Sequence, residues 1–147
     1  MIPAAKHQLN EILRKEHLAP GIALFEVYTP LVARTVLAGQ FVVVRADDYA
    51  ERIPLTVADR HLENGTITLI VQIVGLSTRK MERFQVGDAF LDIIGPLGRP
   101  MEVRKAGTVV CIGGGVGVAP VYPITKAFRE AGNRIISIIG ARNKEMI

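Results

Sequence analysis

A chain of 147 residues, 49% of them hydrophobic, carries enough apolar material for one ordinary domain with a real core, which excludes disorder as its main state. Its 18 Lys and Arg against 14 Asp and Glu leave a net charge of +4, a modest excess that suits phosphate-bearing ligands or acidic partners. Aromatic residues make up 5% with no Trp, a poor supply of stacking platforms for single-stranded nucleic acid, so a nucleic-acid partner is not expected.

From the N-terminus to about Arg104 the signals are short apolar runs between turn residues, the grammar of an all-β region. The opening Met1-Ile2-Pro3-Ala4-Ala5-Lys6-His7 lacks the charged-then-apolar order of an export leader, and no apolar run reaches the roughly 20 residues of a spanning helix. A soluble, cytoplasmic protein without a membrane partner is the expectation. Leu9 to Glu16 fits either a strand or one helical face through Leu9, Ile12, Leu13 and Glu16, and the reading adopted is strand. Further strands are predicted at Ile22–Val27, Phe41–Val44, Thr66–Val74 and Ala89–Ile94, rich in β-branched residues and punctuated by Pro20-Gly21, Asn64-Gly65, Gly87-Asp88 and Gly95-Pro96. Ser77 to Phe84, polar and opening with capping residues after Gly75, reads as a short helix. Strands at this spacing suggest a small barrel or sandwich.

After Gly107 the grammar changes. Thr108-Val109-Val110-Cys111-Ile112 is an apolar strand, Gly113-Gly114-Gly115-Val116-Gly117-Val118-Ala119-Pro120 is a glycine-rich corner, and Val121, Ile124, Phe128 and Ala131 recur at helical spacing until Gly132-Asn133. Arg134–Ile139 is then a second strand, so the segment reads as one right-handed β-α-β unit opening a doubly wound sheet. Two domains are expected, a β-barrel over 1–104 and the incomplete start of an α/β domain over 105–147. A sheet of this kind needs cover on both faces, so the unit should be completed either by more of the same polypeptide, the favoured reading, or by a partner.

Three places carry candidate chemistry. In Gly113 to Pro120, glycines between a buried strand and a helix let backbone N–H groups approach an anion at the positive helix end. The run is neither the dinucleotide fingerprint nor a P-loop, and its plain alternative is a tight bend. Gly75-Leu76-Ser77-Thr78 opens a helix whose first turn bears Arg79 and Lys80, cations that oppose the helix dipole unless an anion binds there. Arg52-Ile53-Pro54-Leu55-Thr56 offers a cation and a hydroxyl around a rigid extended backbone, and alone is as readily an ordinary strand entrance. His7, His17 and His61 lack metal-ligand spacing, Ser77 and Ser137 lack a nucleophile elbow, and the single cysteine, Cys111, excludes an internal disulfide or a four-cysteine cluster from this chain alone.

Read in order, Gly39-Gln40-Phe41, Arg52-Ile53-Pro54-Leu55-Thr56, Gly75-Leu76-Ser77-Thr78, Gly95-Pro96-Leu97-Gly98 and Gly113–Pro120 resemble the ferredoxin–NADP reductase superfamily. Within it the run of motifs is similar to the small flavoprotein subunits of the NADH-dependent ferredoxin–NADP oxidoreductase type (sulfide dehydrogenase subunit beta), and next to dihydroorotate dehydrogenase electron-transfer subunits. The likeness spans the chain but only about the first half of such a subunit. It implies a Greek-key barrel binding FAD, followed by an α/β domain binding NAD(P)H, in an oxidoreductase that passes electrons to an iron–sulfur centre. The resemblance puts Pro54, Leu55 and Thr56 along the flavin ring with the Thr56 hydroxyl near the reactive nitrogen, and Gln72, Ile73 and Val74 beside the ring and ribityl chain. It gives Gly75, Ser77 and Thr78 the FAD diphosphate and makes Gly95, Leu97 and Gly98 a turn near the flavin. Gly114, Gly115, Gly117, Ala119 and Pro120 would receive the NAD(P)H diphosphate. The superfamily pattern sets an Arg three places before the hydroxyl, where this chain has Ile53; Arg52 lies four before Thr56. Implied partners are a larger flavoprotein/iron–sulfur subunit of a heterodimer and ferredoxin, with any [2Fe–2S] ligands lying beyond Ile147. Non-catalytic alternatives are a basic β-barrel binding module or an assembly subunit.

Overall fold

The computed structural model describes residues 7–147, so the opening residues 1–6, over which the leader reading runs, lie outside the described residues. Strands β1 (Ile12–Ala19) and β2 (Ile22–Tyr28) form a hairpin in which Gly21 takes φ 71°, a left-handed conformation that glycine adopts at little cost. Helix α1 (Pro30–Thr35), β3 (Phe41–Arg45), β4 (Ile53–His61), β5 (Thr66–Gln72), α2 (Leu76–Arg83) and β6 (Asp92–Leu97) follow. The order ends with β7 (Thr108–Gly114), α3 (Val118–Glu130) and β8 (Arg134–Gly140); one 3-10 turn at Gly115–Gly117 leads into α3 and another lies at Lys144–Met146.

The first six strands form one antiparallel sheet in the order β1-β2-β5-β4-β3-β6, so β5 returns beside β2 as a Greek key requires. The sheet curls until its edges meet in part. Glu11 bridges Ala89, the Ile12 N–H bonds the Asp88 carbonyl at 2.8 Å and the Gly87 N–H bonds the Ile12 carbonyl at 2.9 Å. β1 and β6 themselves do not pair, so the barrel stays open along this seam.

Alternation decides the core. Ala23, Phe25 and Val27 of β2, Val42 and Val44 of β3, and Ile67, Leu69 and Val71 of β5 all point inward, joined by Val32 and Ala33 of α1, Met81 of α2, and Phe90. Phe90 packs edge-on to Phe25 at 5.6 Å between ring centroids and tilted to Phe84 at 5.3 Å, filling the open seam from within.

The barrel strands, α2 and the β-α-β unit stand where the sequence puts them, with three differences. β1 runs from Ile12 to Ala19 rather than from Leu9 to Glu16, because Leu9 and Asn10 form a turn in which Asn10 takes φ 63°. The sixth strand begins at Asp92 rather than Ala89, since Ala89 and Phe90 are used in tying β1, where the Phe90 N–H bonds the Asn10 carbonyl. Gly95 and Pro96 do not break that strand. They lie inside β6, an edge position that tolerates a proline, beside a register shift between Phe41 and Val43. A Cβ on Gly95 would stand 2.7 Å from a Val42 methyl, so the glycine serves close strand approach and the turn falls to Gly98 at φ 81°. Helix α1 has no counterpart in the sequence reading.

β7 and β8 pair in parallel, Cys111 opposite Ser137 and Ile112 opposite Ile138, joined through α3. α3 covers the face that buries Cys111 and Gly113; Val110, Ile112, Ile136 and Ile138 on the other face are exposed. The buried Asn133 fastens the unit's entry, its Oδ1 accepting the N–H groups of Ala106 and Gly107 and its Nδ2 donating to the Arg104 and Phe128 carbonyls. Among the described residues no helix is long and apolar enough to cross a membrane.

Phe90→Ala removes the ring that fills the seam and leaves a cavity among Phe25 and Phe84, so unfolding in urea should show a loss of about 3–5 kcal/mol. A loss below about 1 kcal/mol would mean that the seam collapses freely around the gap.

Candidate functional site

Strand β4 changes partner halfway along its length. Ile53 to Thr56 pair with β3, and only Val57 to His61 pair with β5. The far end of β5, Ile70 to Gln72, pairs with β2 on its other side. The two strands therefore part beyond the Val57–Leu69 pair, and the facing edges of Ile53–Thr56 and Ile70–Gln72 have no ladder partner across the gap. Pro54, Gln72 and Val74 are exposed here, while Leu55, Thr56 and Ile73 are half-buried. The gap is a slot with polar backbone on both walls and apolar side chains beneath, the form of a site for a flat, hydrogen-bonding ring.

Thr56 lies opposite Phe41 of β3, and Phe41 lies opposite Leu97 of β6, so the three stand in a row across the sheet. Gly98 presses on the Phe41 ring, where a Cβ would come within 2.9 Å of Cε1, and Gln40 Nε2 donates to the Gly98 carbonyl at 2.8 Å. Thr56, Leu97 and Gly98 are thus brought together, with Gly95 further along β6. Phe41 and Gln40 organise this wall, and sequence reasoning used them only as part of a motif; their signal was the place of Gly39-Gln40-Phe41 in the motif order.

The slot leads past Val74 to the start of α2. Gly75 has no side chain to cap the helix, so the first-turn amides have no side-chain acceptor. Thr78 Oγ1 instead accepts the N–H groups of Val74 and Gly75 at 3.1 and 3.0 Å and bonds the Gly75 carbonyl, which fixes the bend between β5 and α2. A Cβ on Gly75 would meet nothing within 4 Å, so the space before the helix end is open. Loop 46–52 overhangs it: Ser77 Oγ donates to Glu51 Oε2 at 3.4 Å, and Lys80 Nζ is 3.5 Å from Asp47. The Glu51 carboxylate thus stands at the Ser77 hydroxyl in the first turn of α2.

Arg52 goes elsewhere. Its Nη2 bonds Asp92 of β6 at 3.2 Å, with Arg45 Nη1 3.7 Å from the same carboxylate oxygen, while neighbouring Glu51 turns to Ser77. The structure therefore gathers Gly75, Ser77 and Thr78 at one end of the slot and places the Arg52 guanidinium with Asp92.

Gly113 to Pro120 form the strand-to-helix corner. Gly113 is buried against α3, where a Cβ would meet Val118 Cα at 3.1 Å; Gly114 pairs with Gly140; Gly115 takes φ 53° and opens the 3-10 turn. Gly117 caps α3 without a side chain, Ala119 is buried and Pro120 sits in the helix's first turn, where its missing N–H is no loss. The corner faces the barrel across a cavity of about 480 Å³ whose lining includes Gly115, Val116, Val118, Ile70 and Ala58, the last only two residues along β4 from Thr56. Ile70 borders both this cavity and the slot. Among the described residues no three His, Cys, Asp or Glu side chains gather as a metal site.

Gly113→Ala tests the corner. With the new methyl 3.1 Å from the Val118 backbone, α3 has to shift, and thermal unfolding should show a loss of about 1–3 kcal/mol, whereas Gly117→Ala, which meets nothing within 4 Å, should cost under about 1 kcal/mol.

No family profile matches the chain. A dihydroorotate dehydrogenase B (NAD(+)) electron transfer subunit homolog from Thermotoga maritima is 45% identical over 139 residues, covering 95% of this chain and 49% of that protein. The dihydroorotate dehydrogenase B (NAD(+)) electron transfer subunit of Enterococcus faecalis is 30% identical, over 96% of this chain and 55% of its own length. Among solved structures, a chain of the NADH-dependent reduced ferredoxin–NADP oxidoreductase, a flavin-based electron bifurcation system, superposes with a TM-score of 0.94 at 43% identity, over 97% of this chain and 52% of that one. The chain spans about half the length of the curated relatives it matches. These residues thus have the ferredoxin reductase-like fold and are homologous to one half of the electron-transfer subunits of dihydroorotate dehydrogenase B and of the NADH-dependent ferredoxin–NADP oxidoreductase.

Proposed function

We propose that this chain is the FAD-binding barrel, residues 1–104, and the first part of the NAD(P)-binding unit, residues 105–147, of an electron-transfer flavoprotein oxidoreductase subunit. The observation that carries the reading is the parting of β4 from β5, which leaves a slot between Ile53–Thr56 and Ile70–Gln72 that runs to the uncapped start of α2. A flat ring joined through a flexible chain to a diphosphate matches that sequence of surfaces. In this reading Pro54, Leu55 and Thr56 line one edge of the ring and Gln72, Ile73 and Val74 the other. Gly75 and Ser77 bind the diphosphate through backbone and hydroxyl, with Thr78 holding the bend. Leu97 and Gly98 support the wall behind Phe41. Ser77 is free to serve once Glu51 is displaced, whereas Arg52 reaches a diphosphate only by leaving Asp92.

Bound flavin supplies the exchange between two-electron hydride chemistry and one-electron transfer. The chain's own part is positional. The Thr56 hydroxyl marks the ring's reactive edge, and Gly114, Gly115, Gly117, Ala119 and Pro120 bring backbone amides and a helix end to a nicotinamide dinucleotide across the cavity from β4. In this reading the acceptor of the flavin's electrons would be an iron–sulfur centre in a larger partner subunit or ferredoxin. The buried Cys111 cannot furnish a cluster, so [2Fe–2S] ligands would come from outside these residues. The exposed Val110 (53%), Ile112 (68%) and Ile138 (50%) support a nucleotide-binding unit that continues beyond the residues described, since a parallel sheet is covered on both faces.

The test is binding of FAD to the purified chain, read as quenching of flavin fluorescence. One FAD per chain is expected, and Ser77→Ala should weaken FAD roughly tenfold while leaving riboflavin, which has no phosphate, unchanged. In the complete subunit Thr56→Ala should retain FAD and slow its reduction by NAD(P)H roughly tenfold. A chain that takes up no flavin at any concentration refutes the proposal.

A further inference from the structure

β4 also carries the attachment of α3. Three residues past Thr56 the register between β4 and β5 slips, between the pairs Val57–Leu69 and Asp59–Thr68, and such an irregularity re-aims a side chain. Ala58 is the residue without a partner, and Asp59 resumes the ladder opposite Thr68 with its side chain turned to α3. Its Oδ1 accepts Lys126 Nζ of α3 at 2.9 Å and the Arg60 N–H at 2.8 Å. Space opens on both sides of this contact: the 480 Å³ cavity toward the glycine corner, and a second of about 380 Å³ bordered by Leu37, Arg60, Pro123 and Ala127. Asp59 lines both. The packing of α3 on β4 is thus flanked by an open cleft on either side of the ion pair. Among the described residues the Lys126–Asp59 contact is the one side-chain hydrogen bond from α3 to the six-stranded sheet. The hydrogen bond to Asp59 raises the Lys126 ammonium above its ordinary range against the opposing pull of burial.

We propose that Asp59 and Lys126 form a latch that sets the angle of α3, and with it the glycine corner, against the Thr56 stretch of β4. Both levers are stiff. Lys126 stands eight residues along α3 from Val118, about 12 Å, and Asp59 three residues along β4 from Thr56, about 10 Å, so a small rotation at the latch displaces the corner relative to the slot. The pair is partly solvated, with 46% of the Lys126 side chain and 19% of the Asp59 side chain exposed. Its removal shifts the docked population on the order of two- to fivefold and does not unfold the chain. The consequence for nicotinamide placement rests on the function proposed above; the latch itself does not.

The experiment uses the complete flavoprotein with spin labels at exposed Glu63→Cys and Arg129→Cys, carrying Asp59→Asn, Lys126→Met or the exchange D59K/K126D. Interlabel distances should broaden in both single variants and narrow again in the exchange, and high salt should broaden the unmutated protein without altering Asp59→Asn. FAD content should stay the same, while the nicotinamide–flavin charge-transfer absorbance falls two- to fivefold in the single variants and recovers in the exchange. Unchanged distances in both single variants overturn the latch, even where the charge-transfer band is intact and the functional reading stands. Broadened distances with no such band in any protein, the unmutated one included, uphold the latch and reject the reading of the two sites.

Discussion

Almost everything that matters in this molecule depends on β4 being shared between two neighbours. A strand paired evenly on both sides presents only side chains, because its backbone is spent in ladders. β4 gives its first half to β3 and its second half to β5, and the irregularity between Val57 and Asp59 lies where the exchange is complete. One consequence is an unpaired edge beside Thr56, the only kind of strand surface that offers backbone donors and acceptors to a planar ligand. Another is the outward turn of Asp59 toward α3. The slot and the seat of the next unit therefore follow from a single departure from regular pairing, as is common where sheets serve chemistry.

Four basic side chains around the slot and the α3–β4 contact are held in ion pairs. A net charge of +4 suggests a surface waiting for phosphate, yet Arg45 and Arg52 share Asp92, Lys80 is beside Asp47 and Lys126 is on Asp59. In the proposed function the two places that would receive anions are built from glycines, uncapped helix starts and one hydroxyl. Backbone amides are neutral when unoccupied and cost no repulsion between neighbours, so two anion-directed corners fit into one small molecule. Side-chain cations packed equally close would repel one another or demand carboxylates, as Arg45 and Arg52 do.

Much of the architecture was legible because local pattern and tertiary environment agree. β2, β3, β5 and the β-α-β unit have runs whose period and punctuation permit little else, and the parallel pairing of β7 with β8 follows from the crossover helix. α1 was missed although Thr29-Pro30 is a usable helix start, because its six residues, Pro30–Thr35, are too few for a period to show. Gly95-Pro96 misled for a physical reason: an edge strand tolerates the proline, and what requires glycine is the Val42 methyl from another strand. The motif order singled out Thr56 and Gly75–Thr78, which the structure sets beside and at one end of the slot, but the destination of Arg52 was hidden, since Asp92 lies 40 positions away and is placed by β6. Asp59 and Lys126, 67 positions apart, left no local sign at all.

The two parts of the chain also differ in how completely they satisfy their own apolar surface. The barrel closes its core from within, with α1, α2 and Phe90 each plugging an end or seam. The β7–β8 pair buries only the face beneath α3, and its opposite face keeps Val110, Ile112, Ile136 and Ile138 in solvent. Hydrophobic burial therefore favours the barrel as the unit that folds first and most firmly, with the glycine corner held to it from outside. A corner held that way takes its orientation from the packing of α3 on β4, in which the one side-chain hydrogen bond is a partly exposed ion pair that bears more on geometry than on stability.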